Sequence, residues 1–273
     1  MEKLDVVIPF ELDGWPYHHP SMATSKILNY YGTDTEPLYQ RNLKYLPDNW
    51  KYREEIVSYN FNSNGLRMKQ ELSTIKDYVL FSGTSYTFGL GINESDRFSD
   101  IVGNTLNLDF VNFAGPTYSI KMQVISFFNL LKSNFHLPSV LVIEYPPTCA
   151  YTWYEDGNFL FTYSKHLPSE YKKHIDAHTG LLETEFHLQE ANMFRNMLIG
   201  TCKRLGIKLV EVSLFKNEQF AKDNNLLIID TDTNHNDINF CYGRDLRIQP
   251  NFRSGHPGSG IHRLTADTIL TLL

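Results

Sequence analysis

The sequence predicts a doubly wound parallel α/β sheet with helices on both faces, preceded by an irregular N-terminal extension. Two observations lead there. From residue 77 onward, short apolar runs alternate with stretches whose apolar residues recur at helical spacing, and the connections are long enough for parallel crossovers. Residues 1–76 are instead rich in Tyr, Pro, Asn and charge and hold no sustained period of 3.6 or 2.0. A chain of 273 residues can bury one substantial core. The expected organisation is therefore an extension, 1–76, packed on a main domain, 77–273.

The elements follow in order. A short helix around SMATSKILNYY and a strand at EEIVSYNF are expected within the extension. DYVLFS (77–82) is an apolar run ending at a glycine, as a buried strand would. DFVNFA (109–114) is the second strand, and Ile120, Val124, Phe127, Phe128 and Leu131 then mark a helix. PSVLVIEYP (138–146) is the third strand, stopped by Pro146 and Pro147, which offer no ladder N–H. Residues 147–187 are aromatic and irregular, and are expected to form a loop or small lobe over one sheet end. LQEANMFRNMLIGTCKRLG (188–206) is an amphipathic helix closed by Gly206, and IKLVEVS (207–213) is the fourth strand. Leu264, Ala266, Ile269 and Leu270 mark a last helix.

Composition narrows the function. An apolar fraction of 42% and a charged fraction of 21% are those of a folded globular chain. The net charge of -6, with no dense Lys/Arg block, argues against a nucleic-acid partner. No stretch approaches 18 consecutive apolar residues, and the start MEKLDVVIPF lacks the basic lead and apolar core of a signal peptide, so no membrane partner and a cytoplasmic location are expected. Cys149, Cys202 and Cys241 are odd in number and widely spaced, which fits free thiols and implies no metal. IDTDTNHNDINFC (229–241) imitates a calcium loop but has His235 and Cys241 where glycine and glutamate are needed. His18 and His19 are adjacent, and His174 and His178 lack the H-E-x-x-H pattern, so neither pair suggests zinc.

Chemistry collects beyond the carboxyl ends of the strands of such a sheet. FSGTSYTFGLGINESDRF (81–98) lies there: Gly83 permits a sharp exit, Ser85 follows two residues later, and Gly89 and Gly91 keep the neighbouring backbone bare. A serine so placed can project its hydroxyl into the crevice while its own N–H faces a developing oxyanion. The segment is neither a G-x-S-x-G elbow nor a nucleotide-binding glycine loop.

This run resembles the first block of the SGNH (GDSL-like) hydrolases, especially divergent members with G-x-S-x-T-x-G-x-G after the first strand. NSNGLR (62–67) resembles the N-S-x-G-x-R element found upstream in those members. The resemblance implies a three-layer, flavodoxin-like doubly wound sheet of SGNH hydrolase type, a Ser85 nucleophile and no cofactor. Thr84 stands where the family has Asp. The second block is similar to VNFAGPTYS (111–119), which puts the oxyanion glycine at Thr117, with Gly115 the alternative donor if the register slips by two. The third block should carry Asn, but EYPPTCA (144–150) has Thr148 near that place. The last block resembles GRDLRIQPNFRSGHPGSGIH: His256 before Pro257 and Gly258 fits the general base, and His262 fits the second, structural histidine. Three residues before His256 stands Arg253, and Asp245 lies eleven residues upstream. The alternatives are a Ser85–His256–Asp245 triad across an insertion, a Ser85–His256 dyad, or a fold retained without catalysis.

The implied activity is hydrolysis of an acyl ester, acetyl included, on a small molecule or glycan. An acyltransferase using the same serine and a non-catalytic binding or assembly protein are the rival readings. Tyr86, Tyr151, Trp153 and Tyr154, with Phe159, are the candidate substrate-pocket rings. The aromatic N-terminal extension is a candidate surface for a protein partner.

Overall fold

The computed structural model of the chain describes residues 26–116, 118–133, 135–147, 150–155, 158–163, 185–215, 219–229, 237–249 and 252–273. Its centre is a five-stranded, all-parallel sheet. In chain order the strands are β3 (Tyr78–Ser82), β4 (Asp109–Asn112), β5 (Val140–Glu144), β8 (Lys208–Ser213) and β9 (Leu227–Ile228), and their spatial order is β4-β3-β5-β8-β9. The expected fold class stands, with one more edge strand than the sequence suggested. Leu227–Ile228 spans two residues, too few to carry an alternation signal.

Alternation along the strands builds two cores. Leu80, Leu141 and Ile143 pack on one face against α4 (Ile120–Lys132) and α5 (Glu185–Leu205), through Ile120, Val124, Ala191 and Leu198. Val79, Phe81, Val142 and Val210 pack on the other against α3 (Phe98–Leu106) and α8 (Ser259–Leu270), through Phe98, Ile101, Ala266 and Ile269. Adjacent residues of one strand thus face opposite helical layers. Helix α3 was not expected: Gly103 weakens its pattern, yet a Cβ there would meet the Phe110 ring at 2.4 Å, so helix and strand approach closely for want of a side chain.

The extension forms a third core, in which Trp50, Tyr52, Val57, Tyr59 and Phe61 pack with Phe88, Leu90 and Ile92 of the main unit. The expected helix around residues 21–31 is not formed where it is described. Lys26–Leu28 is instead strand β1, antiparallel to β2 (Tyr59–Phe61), because β-sheet pairing outweighs a weak local helical signal. The helix of this region is α1 (Glu36–Tyr45), capped by Thr35, whose side chain accepts from the Leu38 N–H.

Two hairpins complete the chain. β6 (Ala150–Glu155) pairs with β7 (Asn158–Tyr163) inside the segment expected to be irregular, and β10 (Arg247–Gln249) pairs with β11 (Phe252–Ser254). Short helices Ser85–Phe88 (α2), Gln219–Asp223 (α6) and Ile238–Cys241 (α7) join the rest. Cys202 and Cys241 are buried; Cys149, His18, His19, His174, His178 and most of the calcium-like loop lie outside the described residues. Among the described residues no helix is long and apolar enough to cross a membrane.

Candidate active site

β3 lies between β4 and β5, and the turn leaving its carboxyl end is fastened from both neighbours. Thr84 caps α2, its hydroxyl accepting from the Tyr86 N–H at 3.2 Å, and so sets Ser85 as the first helical residue. From β5, the buried Glu144 carboxylate accepts the Thr84 N–H at 2.7 Å, the Thr84 hydroxyl at 2.9 Å and the Thr87 hydroxyl at 2.9 Å. Gly83 is required here, since a Cβ would stand 2.6 Å from Glu144 Oε2 and 2.0 Å from Thr87 Oγ1. From β4, Asn112 Nδ2 donates to the Thr87 carbonyl at 2.9 Å. Gly89 ends the helix at φ 79°, a conformation that favours glycine.

The carbonyls at that helix end go to Arg67. Its guanidinium donates to Phe88 O at 2.9 Å, to Gly89 O and to Ile92 O at 2.6 Å, and lies 4.1 Å from the Tyr59 ring centre. Arg67 has no carboxylate partner among the described residues. Burial, then the nearby Arg97, push its pKa down to about 10, which still leaves it charged. This gives the NSNGLR element a physical role, because its arginine ties the loop that follows Ser85.

The structure brings Ser85, His256 and Asp245 together. Ser85 Oγ lies 2.8 Å from His256 Nε2, and His256 Nδ1 lies 2.6 Å from Asp245 Oδ2. The eleven-residue interval is bridged by the β10–β11 hairpin. Arg247 stands opposite Ser254, Ile248 opposite Arg253 and Gln249 opposite Phe252. Continuing that pairing outward puts Leu246 opposite Gly255, where a Cβ would stand 3.1 Å from Leu246 Cα, and Asp245 opposite His256. Cross-strand neighbours lie within side-chain reach however long the hairpin between them.

Asp245 is 1% exposed and also accepts from the Thr33 hydroxyl at 2.8 Å and the His256 N–H at 3.1 Å. Burial favours its protonated form, but His256 and the Thr33 bond outweigh burial and hold its pKa below the ordinary carboxylate value. The extension secures the same stretch. Arg244 pairs with Asp34 at 2.7 Å, its N–H bonds Gly91 O at 2.7 Å, and Asn42 Nδ2 caps the Leu246 carbonyl at 2.7 Å.

Of the pocket rings, Tyr86 meets His256 edge-on, with centroids 5.6 Å apart, and stacks on Phe215 at 5.1 Å. Burial pushes its phenol up to about 12. Tyr151, Trp153 and Tyr154 lie on β6, but their side chains fall outside the described residues, as do Thr117 and Thr148. Gly115, the alternative oxyanion donor, gives its N–H to Gly83 O at 3.2 Å. The Ser85 N–H has no acceptor among the described residues. His262 is buried against Phe98, its Nδ1 accepting the Phe98 N–H at 3.3 Å. Burial, then Arg97, push its pKa down to about 3, so it is neutral. Glu144 and Thr33 were not singled out in the sequence, while Arg67 and Asn112 entered only as members of NSNGLR and VNFAGPTYS. Glu144 left a trace there, a charged residue ending the apolar run VLVIE.

No family model matches the chain, and no curated protein matches it in sequence. In structure it is similar to a member of the lipolytic protein G-D-S-L family from Veillonella parvula, at 12% identity over 72% of this chain and 98% of that one, with a TM-score of 0.40. It is also similar to an acetyl xylan esterase, AlAXEase, at 15% identity over 72% and 99%, with a TM-score of 0.41. A carbohydrate esterase is similar at 11% identity over 72% of this chain and 68% of that one, with a TM-score of 0.44.

Proposed function

We propose that the chain is a serine hydrolase of the SGNH type that cleaves a short acyl ester through Ser85, His256 and Asp245. The observation that carries the reading is the continuous chain of contacts from Ser85 Oγ through both imidazole nitrogens to Asp245, at 2.8 and 2.6 Å. Asp245 accepts a hydrogen bond from the Nδ1–H, which keeps the proton on Nδ1 and leaves Nε2 as an acceptor for the serine proton. Ser85 Oγ attacks the ester carbonyl, and His256 Nε2 takes its proton. The Ser85 N–H stabilises the tetrahedral oxyanion, with Thr117 or Thr148 as the second donor. The C–O bond to the alcohol breaks, and the alcohol leaves with the proton from Nε2. Water then attacks the acyl-serine, giving its proton to His256, and the carboxylic acid departs as Ser85 is reprotonated.

The nucleophile is 6% exposed and Tyr86 walls one side of the imidazole, which favours a small acyl group such as acetyl. The alcohol is a small molecule or glycan in this reading. Hydrolysis of an aryl acetate tests it. Wild type should turn over, with Ser85→Ala and His256→Ala reduced to the uncatalysed rate; a folded Ser85→Ala variant that keeps wild-type turnover would refute it.

A further inference from the structure

We propose that Glu144 is the positioning residue of the nucleophile, a carboxylate supplied by the neighbouring strand that gathers the donors on both sides of Ser85. The inference rests on the reading of Ser85 as nucleophile and assigns what fixes its geometry. Glu144 ends β5, 1% exposed, and Ile143 pairs with Ser82 on β3, so the carboxylate enters directly beside Gly83. Thr84 before the serine gives it an N–H and a hydroxyl; Thr87 after the serine gives it a hydroxyl.

The bonds also decide which groups the turn has left over. With the Thr84 hydroxyl donating to Glu144, its lone pairs face the helix and accept the Tyr86 N–H. The Thr84 and Tyr86 N–H groups are both bonded, and the Ser85 N–H between them has no acceptor among the described residues. That is the N–H an oxyanion needs. Glu144 does not touch the Ser85 hydroxyl in any described contact, and it has no described ion pair, so its work is done through the two threonines. The Gln123 amide holds its own backbone carbonyl at 3.1 Å, which anchors the residue to α4. Burial pushes the carboxyl up to about 7, against the lowering effect of these hydrogen bonds, so the site retains an acid at a cost in stability. A glutamine in its place keeps the shape but offers one acceptor oxygen, with its NH2 set against donors.

The test is the second-order rate constant for fluorophosphonate labelling of Ser85 in the folded full-length chain, measured beside each variant's unfolding midpoint. Glu144→Gln should label on the order of 10²-fold more slowly, the scale of a misplacement near 1 Å. Thr87→Val, nearly isosteric, should slow labelling about tenfold, while Thr84→Ser, which keeps both donors, should label at the wild-type rate. Wild-type rate constants in folded Glu144→Gln and Thr87→Val, with only the midpoints lowered, would overturn the proposal and leave Glu144 a packing residue. Should Glu144→Gln not fold, Thr87→Val decides. Absence of labelling in folded wild type would instead remove the nucleophile reading, and this proposal with it.

Discussion

As the proposed nucleophile, Ser85 would depend on its partners for reactivity, and the loss of each should show differently. Asp245→Asn would leave the imidazole seated with its Nδ1 proton no longer fixed; turnover should fall on the order of 10³- to 10⁴-fold while substrate KM changes little. Steady-state kinetics on an aryl acetate checks this, and an unchanged kcat would mean that Asp245 orients nothing. Ser85 and His256 could be read from sequence because a glycine-flanked serine after an apolar strand and a histidine before Pro-Gly are local patterns. Glu144 could not, because its partners Thr84 and Thr87 lie some sixty residues away and only strand pairing brings them together. The bond from the Gly115 N–H to Gly83 O across the sheet end was hidden for the same reason.

At the scale of elements, the β10–β11 hairpin converts an eleven-residue gap into a cross-strand pair. Deleting the turn-proximal pair Gln249 and Phe252 together keeps Asp245 opposite His256, whereas deleting Gln249 alone shifts the register by one and turns side chains to the wrong face. The double deletion should keep aryl acetate turnover within about tenfold, and the single deletion should lose nearly all of it. Equal activity in the two would contradict the hairpin's role. The extension acts on the same stretch through Asp34, Thr33 and Asn42. Asp34→Ala leaves Arg244 buried without its carboxylate, and denaturant unfolding should show a loss of about 3 to 5 kcal/mol. None of this was legible in residues 1–76, whose signals are single side chains reaching far along the chain. Four strands of the central sheet and helices α4, α5 and α8 were legible because each carries its own period, whereas α3, interrupted by Gly103, and the two-residue β9 were not.

Across the whole molecule, buried ionisable groups set how stability varies with pH. Glu144 has its folded pKa raised from 4.5 to about 7, so its contribution is fully present below pH 4.5 and is lost as pH rises through 7. His262 acts in the opposite sense: its folded pKa lies at about 3 against 6.5 unfolded, so its contribution is present above pH 6.5 and is lost as pH falls. Wild type should therefore lose about 3 kcal/mol relative to Glu144→Gln between pH 4.5 and 8, read from denaturant midpoints at each pH. A constant difference would show that the carboxyl does not titrate in that range. Glu144 sits at the turn that leaves β3, where the three-layer sheet, the extension and the hairpin meet. The decisive question is whether that meeting point activates Ser85. Intact-mass and peptide-mapped labelling by a fluorophosphonate measures it directly: one adduct is expected, on Ser85, absent in Ser85→Ala and lost or greatly slowed in His256→Ala. Folded wild-type protein that takes up no label, or labels equally without His256, would contradict it.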